Sequence, residues 1–185
     1  AFRFALDLCG APGPAVAVAL ALGFTTILWP YSKFGFNAPL ATLAALAGMY
    51  GVWFGARRVR LSRVALGAAC LGYAALTRHQ LFVLGLPAVV WLCLESHGAR
   101  SRVRSLLAFG LPFAAALIVW LLYNYLRFGN PLDTGLLRDP NVGFDTPLLV
   151  GLHGLLLSPG RSLFLYNPVV LCGVVAWVWL LRRDR

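Results

Sequence analysis

Acidic side chains are nearly missing from this chain: six Asp and Glu stand against sixteen Lys and Arg in 185 residues, for a net charge of +10. Charge of either sign is scarce, at 12% of residues against 60% hydrophobic, where soluble globular chains carry about 25% charged. That shortage excludes an ordinary water-soluble globule and leaves an integral membrane protein. The four cysteines, Cys9, Cys70, Cys93 and Cys172, are far apart and form no C-x-x-C and no Cys/His pair, a pattern that favours free thiols over a disulfide or metal site. Three of them lie in apolar runs and read as packed free thiols. G-x-x-x-x-G-K-[ST], H-E-x-x-H and G-x-S-x-G are missing too, which removes soluble nucleotide and hydrolase chemistry. The opening AFRFALDLCG has no initiator Met. It also lacks the basic start, apolar run and cleavage site of a signal peptide, so the chain reads as a piece of a longer protein.

What is abundant is apolar sequence, with a mean hydropathy of +0.78. A spanning helix takes roughly 20 residues, so the apolar runs leave room for about six. The expected fold is all-α: one polytopic transmembrane bundle, without repeats, and an extracytoplasmic loop carrying a short interfacial helix. The expected spans are 11–29, 38–56, 64–77, 81–94, 106–126 and 163–181, with the loop at 127–162. Pro12 and Pro14 stand at the start of the first span, where a missing N–H does least damage. Pro30 ends it, with Trp29 and Tyr31 at the level of an interfacial aromatic belt. In the second, Gly51 and Gly55 are spaced for close helix packing, or less commonly for a dimer face. The limbs either side of Thr77-Arg78-His79-Gln80 are about 15 residues each, roughly 22 Å long, short of a core about 30 Å thick. Such limbs predict local thinning of the bilayer or a hairpin shielded by other helices.

The arginines fall in clusters between apolar runs, as topology signals do. Residues 57–63 (RRVRLSR) and 95–104 (ESHGARSRVR) read as cytoplasmic loops, and Arg182, Arg183 and Arg185 anchor the end of the chain inside. Eleven of the sixteen cations then lie inside and five outside: Lys33, Arg78, Arg127, Arg138 and Arg161. Both ends of the chain are placed in the cytoplasm, in a plasma (inner) membrane. The charge is thereby read as orientation, not as a nucleic-acid surface.

Tyr123 to Pro168 holds three of the six acidic residues, Asp133, Asp139 and Asp145, together with Arg127, Arg138, Arg161 and His153. Gly129-Asn130, Asn130-Pro131, Asp139-Pro140 and Ser158-Pro159 mark turns. The six-residue spacing of the Asp residues puts neighbours on different helix faces, so they are loop carboxylates. LLVGLHGLLL, 148–157, is too short to span and reads as an interfacial or re-entrant segment. Its His153 is more often a packing residue than a catalytic one. The five outside cations suit a lipid-linked phosphate, since Arg binds phosphate bidentately and Lys as a point charge; taken singly, each is also a snorkelling anchor.

Three patches carry a resemblance. Trp29-Pro30-Tyr31-Ser32-Lys33 before Pro39-Leu40, Asn124-Tyr125-Leu126-Arg127-Phe128-Gly129-Asn130-Pro131 with Thr134-Gly135, and Leu155-Leu156-Leu157-Ser158-Pro159-Gly160-Arg161 leading to Tyr166-Asn167-Pro168 occur in order. Together they resemble bacterial integral membrane glycosyltransferases of the GT-C superfamily, in the branch related to protein O-mannosyltransferases. The resemblance implies transfer of a sugar from a polyprenyl-phosphate carrier to an extracytoplasmic acceptor. Lys33, Arg78, Arg127 and Arg161, with Tyr31, are then the carrier-side candidates. Asp133, Asp139, Asp145 and His153 are candidates for the acceptor side, or in the case of the Asp residues for a divalent metal. The family's usual catalytic Asp follows a first span that this chain does not contain, so it is assigned to no residue here. Relatives often carry an acid just before the Pro-Leu pair, where this chain has Asn37-Ala38.

Two other readings stand beside the enzyme: a transporter or flippase subunit whose charges line a path, and a membrane fragment without catalysis. Reading frame upstream of Ala1 separates them. A further span followed by an acidic loop favours the enzyme, and a start codon at that point favours the fragment.

Overall fold

The computed structural model describes residues 1–26, 28–33, 37–96, 98–135, 147–159, 162–167, 170–171 and 173. Among these residues the chain is all-helical, with no strand, and it divides into two units, 1–36 with 143–185 and 37–142.

In the first unit, α1 (Phe2–Cys9) closes on Gly10 at φ 69, whose N–H reaches the Leu6 carbonyl. The left-handed cap is cheap for glycine. α2 (Pro12–Phe24) begins on the two prolines as expected. It does not run on to residue 29. Thr25 and Thr26 turn their hydroxyls back onto the carbonyls of Ala21 and Leu22, at 2.7 and 2.6 Å, and such back-bonding offers the backbone an alternative to helix. A short α3 (Leu28–Lys33) follows. Pro30 therefore does not end a helix but sits in the first turn of one, where its missing N–H has no intrahelical partner to lose. At 13 residues, α2 is about 20 Å long, less than a bilayer core. The expected short segment is a helix, α8 (Leu148–Leu156). The expected span 163–181 is interrupted: α9 (Leu163–Tyr166) ends at Asn167, φ −138 and ψ 70, a non-helical conformation, as the clash of a following proline with a helical residue requires. The remainder of that span lies almost wholly outside the described residues, as does Cys172.

The second unit is a run of α4 (Ala38–Arg57), α5 (Leu61–Thr77), a 3-10 segment (His79–Leu84) leading into α6 (Gly85–Glu95), and α7 (Ala99–Phe128). The break between α5 and the 3-10 segment falls at Arg78, in the anticipated turn, and each limb is 17 residues. α4 and α5 are antiparallel and nearly touch. A Cβ on Gly51 would meet the Gly67 Cα at 2.9 Å and one on Gly55 the Val64 backbone nitrogen at 2.8 Å, while one on Gly48 would meet the Gly67 carbonyl at 2.8 Å. The small-residue spacing is thus used inside the chain, where it lets two backbones approach. On this contact sits a core of Val52, Val64, Ala68, Leu71, Ala88, Leu92 and Phe109. α7 packs along α5 through Gly72 and Ala116, and Gly85 admits the Phe113 ring.

Among the described residues two helices are long and apolar enough to cross a membrane, α4 and α7. Only 28% and 17% of their most apolar windows are covered, whereas a core helix of a soluble protein is mostly buried. Leu111 is 70% exposed and Leu126 83%. Leaving large apolar side chains in water forgoes about 1.5–3 kcal/mol each, so faces of this kind call for an apolar solvent.

Gly67→Val should lower the thermal midpoint in detergent, since its Cβ meets backbone atoms of Gly48 and Val52 at 2.7 Å and overpacking costs about 1–3 kcal/mol. Gly110→Ala, whose Cβ meets nothing within 4 Å, should leave the midpoint unchanged or raise it.

Candidate functional site

The helix directions of the second unit sort its charge. Arg57, Arg58, Arg60, Arg63, Arg100, Arg102 and Arg104 gather at one end; Arg78, Arg127 and Asp133 lie at the other. Between the ends, no Asp, Glu, Lys or Arg interrupts the helices. The sparse end carries three of the described candidate residues, Arg78, Arg127 and Asp133.

Arg78 ends α5 in an extended conformation, φ −142 and ψ 101, because the helix stops there and the 3-10 segment starts in a new direction. Its Nε donates to Asn37 Oδ1 at 3.3 Å, while Asn37 Nδ2 donates to the Thr77 carbonyl at 3.1 Å. One amide thus caps the orphan carbonyl at the end of α5 and orients the guanidinium beside it. Asn37 is neutral, so Arg78 keeps a net charge that an acid at that position would cancel. Below it runs a cavity of about 390 Å³ lined by Ala41, Thr42, Ala45, Leu46 and Met49 of α4 and by Leu81 and Leu84. Its wall is apolar along its length, with the cation at one end.

Trp120 ties α7 to this corner. Its ring stacks on His79 at 6.1 Å and meets Phe82 edge-on at 5.7 Å. Arg127 is seven residues farther along α7, hence on the same face and about 10 Å higher. Its Nη1 donates to the Tyr123 hydroxyl at 2.7 Å, and its guanidinium lies over the Tyr123 and Phe128 rings. α7 then stops on Gly129, φ 75, whose N–H reaches the Tyr125 carbonyl. Buried Asn124 donates to the Pro131 carbonyl at 3.2 Å, pinning the departing chain to the helix. Asn130 and Asp133 each accept from a backbone N–H two residues on, at 3.0 and 2.8 Å, two successive Asx turns. Gly135, φ 75, lies under the Phe128 ring.

The described candidates therefore fall in both units. Arg78, Arg127 and Asp133 occupy one end of the second unit. Asp133, half-buried, serves as a turn-former through one carboxylate oxygen, a structural task that the acceptor-side expectation did not include. Lys33, Tyr31 and His153 belong to the first unit. Lys33 sits 4.9 Å above the Trp29 ring, and His153 is an exposed residue of α8 whose carbonyl accepts from Leu157. Ser162, buried, donates to the Leu156 carbonyl at 2.7 Å and accepts from Leu165, so it joins α8 to α9. Arg138, Asp139, Asp145 and Arg161 lie outside the described residues. Among the described residues no three His, Cys, Asp or Glu side chains converge on a metal position, and Cys9, Cys70 and Cys93 are free thiols.

Sequence reasoning passed over Asn37, Trp120 and Asn124 as functional supports. Asn37 had shown only as a departure from an acidic position, and Asn124 only as a letter in a motif. An amide at the end of an apolar run, with a glycine and a proline following, was the available signal for Asn124.

Asn124→Ala leaves the Pro131 carbonyl without its donor, a loss of about 1–3 kcal/mol. Limited proteolysis between Gly129 and Gly135 should become several-fold faster, while Leu126→Ala on the exposed face of α7 should leave the rate unchanged.

No protein-family model, curated protein or solved structure matches this chain.

Proposed function

We propose that this chain is the carrier-binding membrane part of a glycosyltransferase that moves a sugar from a polyprenyl phosphate to an extracytoplasmic acceptor. The observation that carries the reading is Arg78, oriented by Asn37 at the end of an apolar groove. An amphiphile with one phosphate and a long branched hydrocarbon has that shape: the chain lies along α4, and the headgroup meets the guanidinium. Arg127, on the Trp120 face about two turns higher, suits the leaving phosphate or the sugar side of the same headgroup. In the reaction, an acceptor hydroxyl attacks the anomeric carbon and gives up its proton to a base or to water, the bond from that carbon to the phosphate oxygen breaks, and the phosphate leaves with both electrons. Donors aimed at the charge growing on that phosphate stabilise the transition state more than the ground state.

The membrane arrangement we propose is six passes through a plasma membrane with both ends of the chain cytoplasmic. Among the described residues, seven arginines at one end of the second unit against two at the other support this orientation. α7 supports it as well: Arg104 and Arg127 are 23 residues apart, about 34 Å along the helix, which suits a core about 30 Å thick. A transport path would call for ionisable groups part-way across. The middles of α4 to α7 carry none, which favours an enzyme working at one surface.

In the full-length protein, Arg78→Ala and Arg127→Ala should each reduce transfer from a polyprenyl-phosphate sugar about 10²-fold, with Arg161→Ala tested beside them. Unchanged transfer in all three would remove the phosphate assignment. For orientation, Ser101→Cys should react with an impermeant maleimide only after cells are opened, and Thr134→Cys in intact spheroplasts.

A further inference from the structure

The opposite end of the second unit holds a second cavity, about 600 Å³, where the α4–α5 loop meets the start of α7. Arg100, Ser101 and Arg104 line one side of it, and Val59 and Leu61 the other. Val59 has φ 52 and is 74% exposed. A β-branched residue in the left-handed region is a genuine outlier, and such outliers cluster at binding sites; here the twist turns an isopropyl group outward beside a rim of arginines. We propose that this cavity binds the headgroup of an anionic phospholipid, with the phosphodiester held between Arg100 and Arg104.

The charge around the cavity is uncompensated where it matters. Among the described residues at this end the acid is Glu95, and its partner is Arg57, at 3.6 Å. Arg57 and Arg58 lie over the Trp53 and Phe54 rings. No described acid pairs with Arg100 or Arg104. These two stand one turn apart on the same face of α7, and two guanidinium forks at that spacing match the two free oxygens of a phosphodiester. Ser101 adds a hydroxyl at the same level. Down the helix the same face continues into Leu107, 56% exposed, with Val103 beside it at 54%. Cations above, aliphatic surface below, is the profile of a lipid and not of a polynucleotide, whose bases would ask for aromatic platforms.

The inference rests on the proposed membrane orientation but not on glycosyl transfer, whose site is at the other end of the unit. Its test therefore reads lipid, not activity. The full-length protein is purified in mild detergent, offered equimolar phosphatidylglycerol and phosphatidylcholine, and examined by native mass spectrometry. Phosphatidylglycerol should be retained preferentially. Each basic residue near an anionic surface is worth roughly fivefold, so R100Q/R104Q should reduce the preference about twentyfold or more. R58Q/R102Q removes the same charge outside the cavity and should keep most of it. If R100Q/R104Q is not recovered folded, R100K/R104K replaces it: charge without forks should still lower the preference several-fold. The proposal is overturned by equal retention of the two lipids, by equal loss in both glutamine pairs, by an unaffected lysine pair, or by displacement of the lipid with millimolar inorganic phosphate or a short DNA duplex.

Discussion

The close passage of α4 and α5 across Gly48, Gly51 and Gly67 is the contact on which the second unit depends. Backbone atoms there leave less than 3 Å for any added carbon, so the two helices meet at a fixed height and angle. From that contact the rest follows in order. Leu71 and Val52 come together as the seed of the core, α7 lies against Gly72, and the far end of α5 arrives beside Asn37. The Asn37 bridge to Thr77 and Arg78 forms only because the helices are held in this register. In lipid, where apolar surface supplies little driving force between helices, packing of this closeness is the main source of association.

The arginine-rich loops and the apolar runs made the helical hairpins of residues 38–128 legible, and the turn at Arg78 fell where basic flanks on both sides required it. What was not legible had local causes. Thr25 and Thr26 are compatible with an apolar helix by composition, and only the direction of their hydroxyls ends α2. Pro30 punctuates a helix in most settings; here the break came earlier and left it in a first turn, where proline is welcome. Asn167 before Pro168 interrupts a run that hydropathy alone joins into one span.

The candidate charges were read as one group, and within the second unit two of them, Arg78 and Arg127, have hydrogen-bonded supports. Arg78 and Arg127 stood out in a chain poor in polar residues. Their supports did not, because an asparagine, a tryptophan and a tyrosine gain meaning only from what lies across from them. Asp133 shows the reverse: a conspicuous carboxylate with one oxygen committed to its own turn. Counting charged residues finds where polarity collects, while hydrogen-bond partners decide which of those groups remain to meet a ligand.

The Tyr123 hydroxyl and Phe128 ring hold the Arg127 guanidinium in one place. A long side chain that must be immobilised on binding loses about 0.5–1.5 kcal/mol of freedom, and here much of that ordering is already present in the unliganded protein. In the proposed site, a phosphate arriving at Arg127 would meet a donor whose direction is set, so discrimination between headgroups would rest on where their oxygens stand and not on how far the arginine can reach. Arg78 is oriented through its Nε against Asn37, and because the guanidinium is planar that one contact also sets the direction of its outer nitrogens.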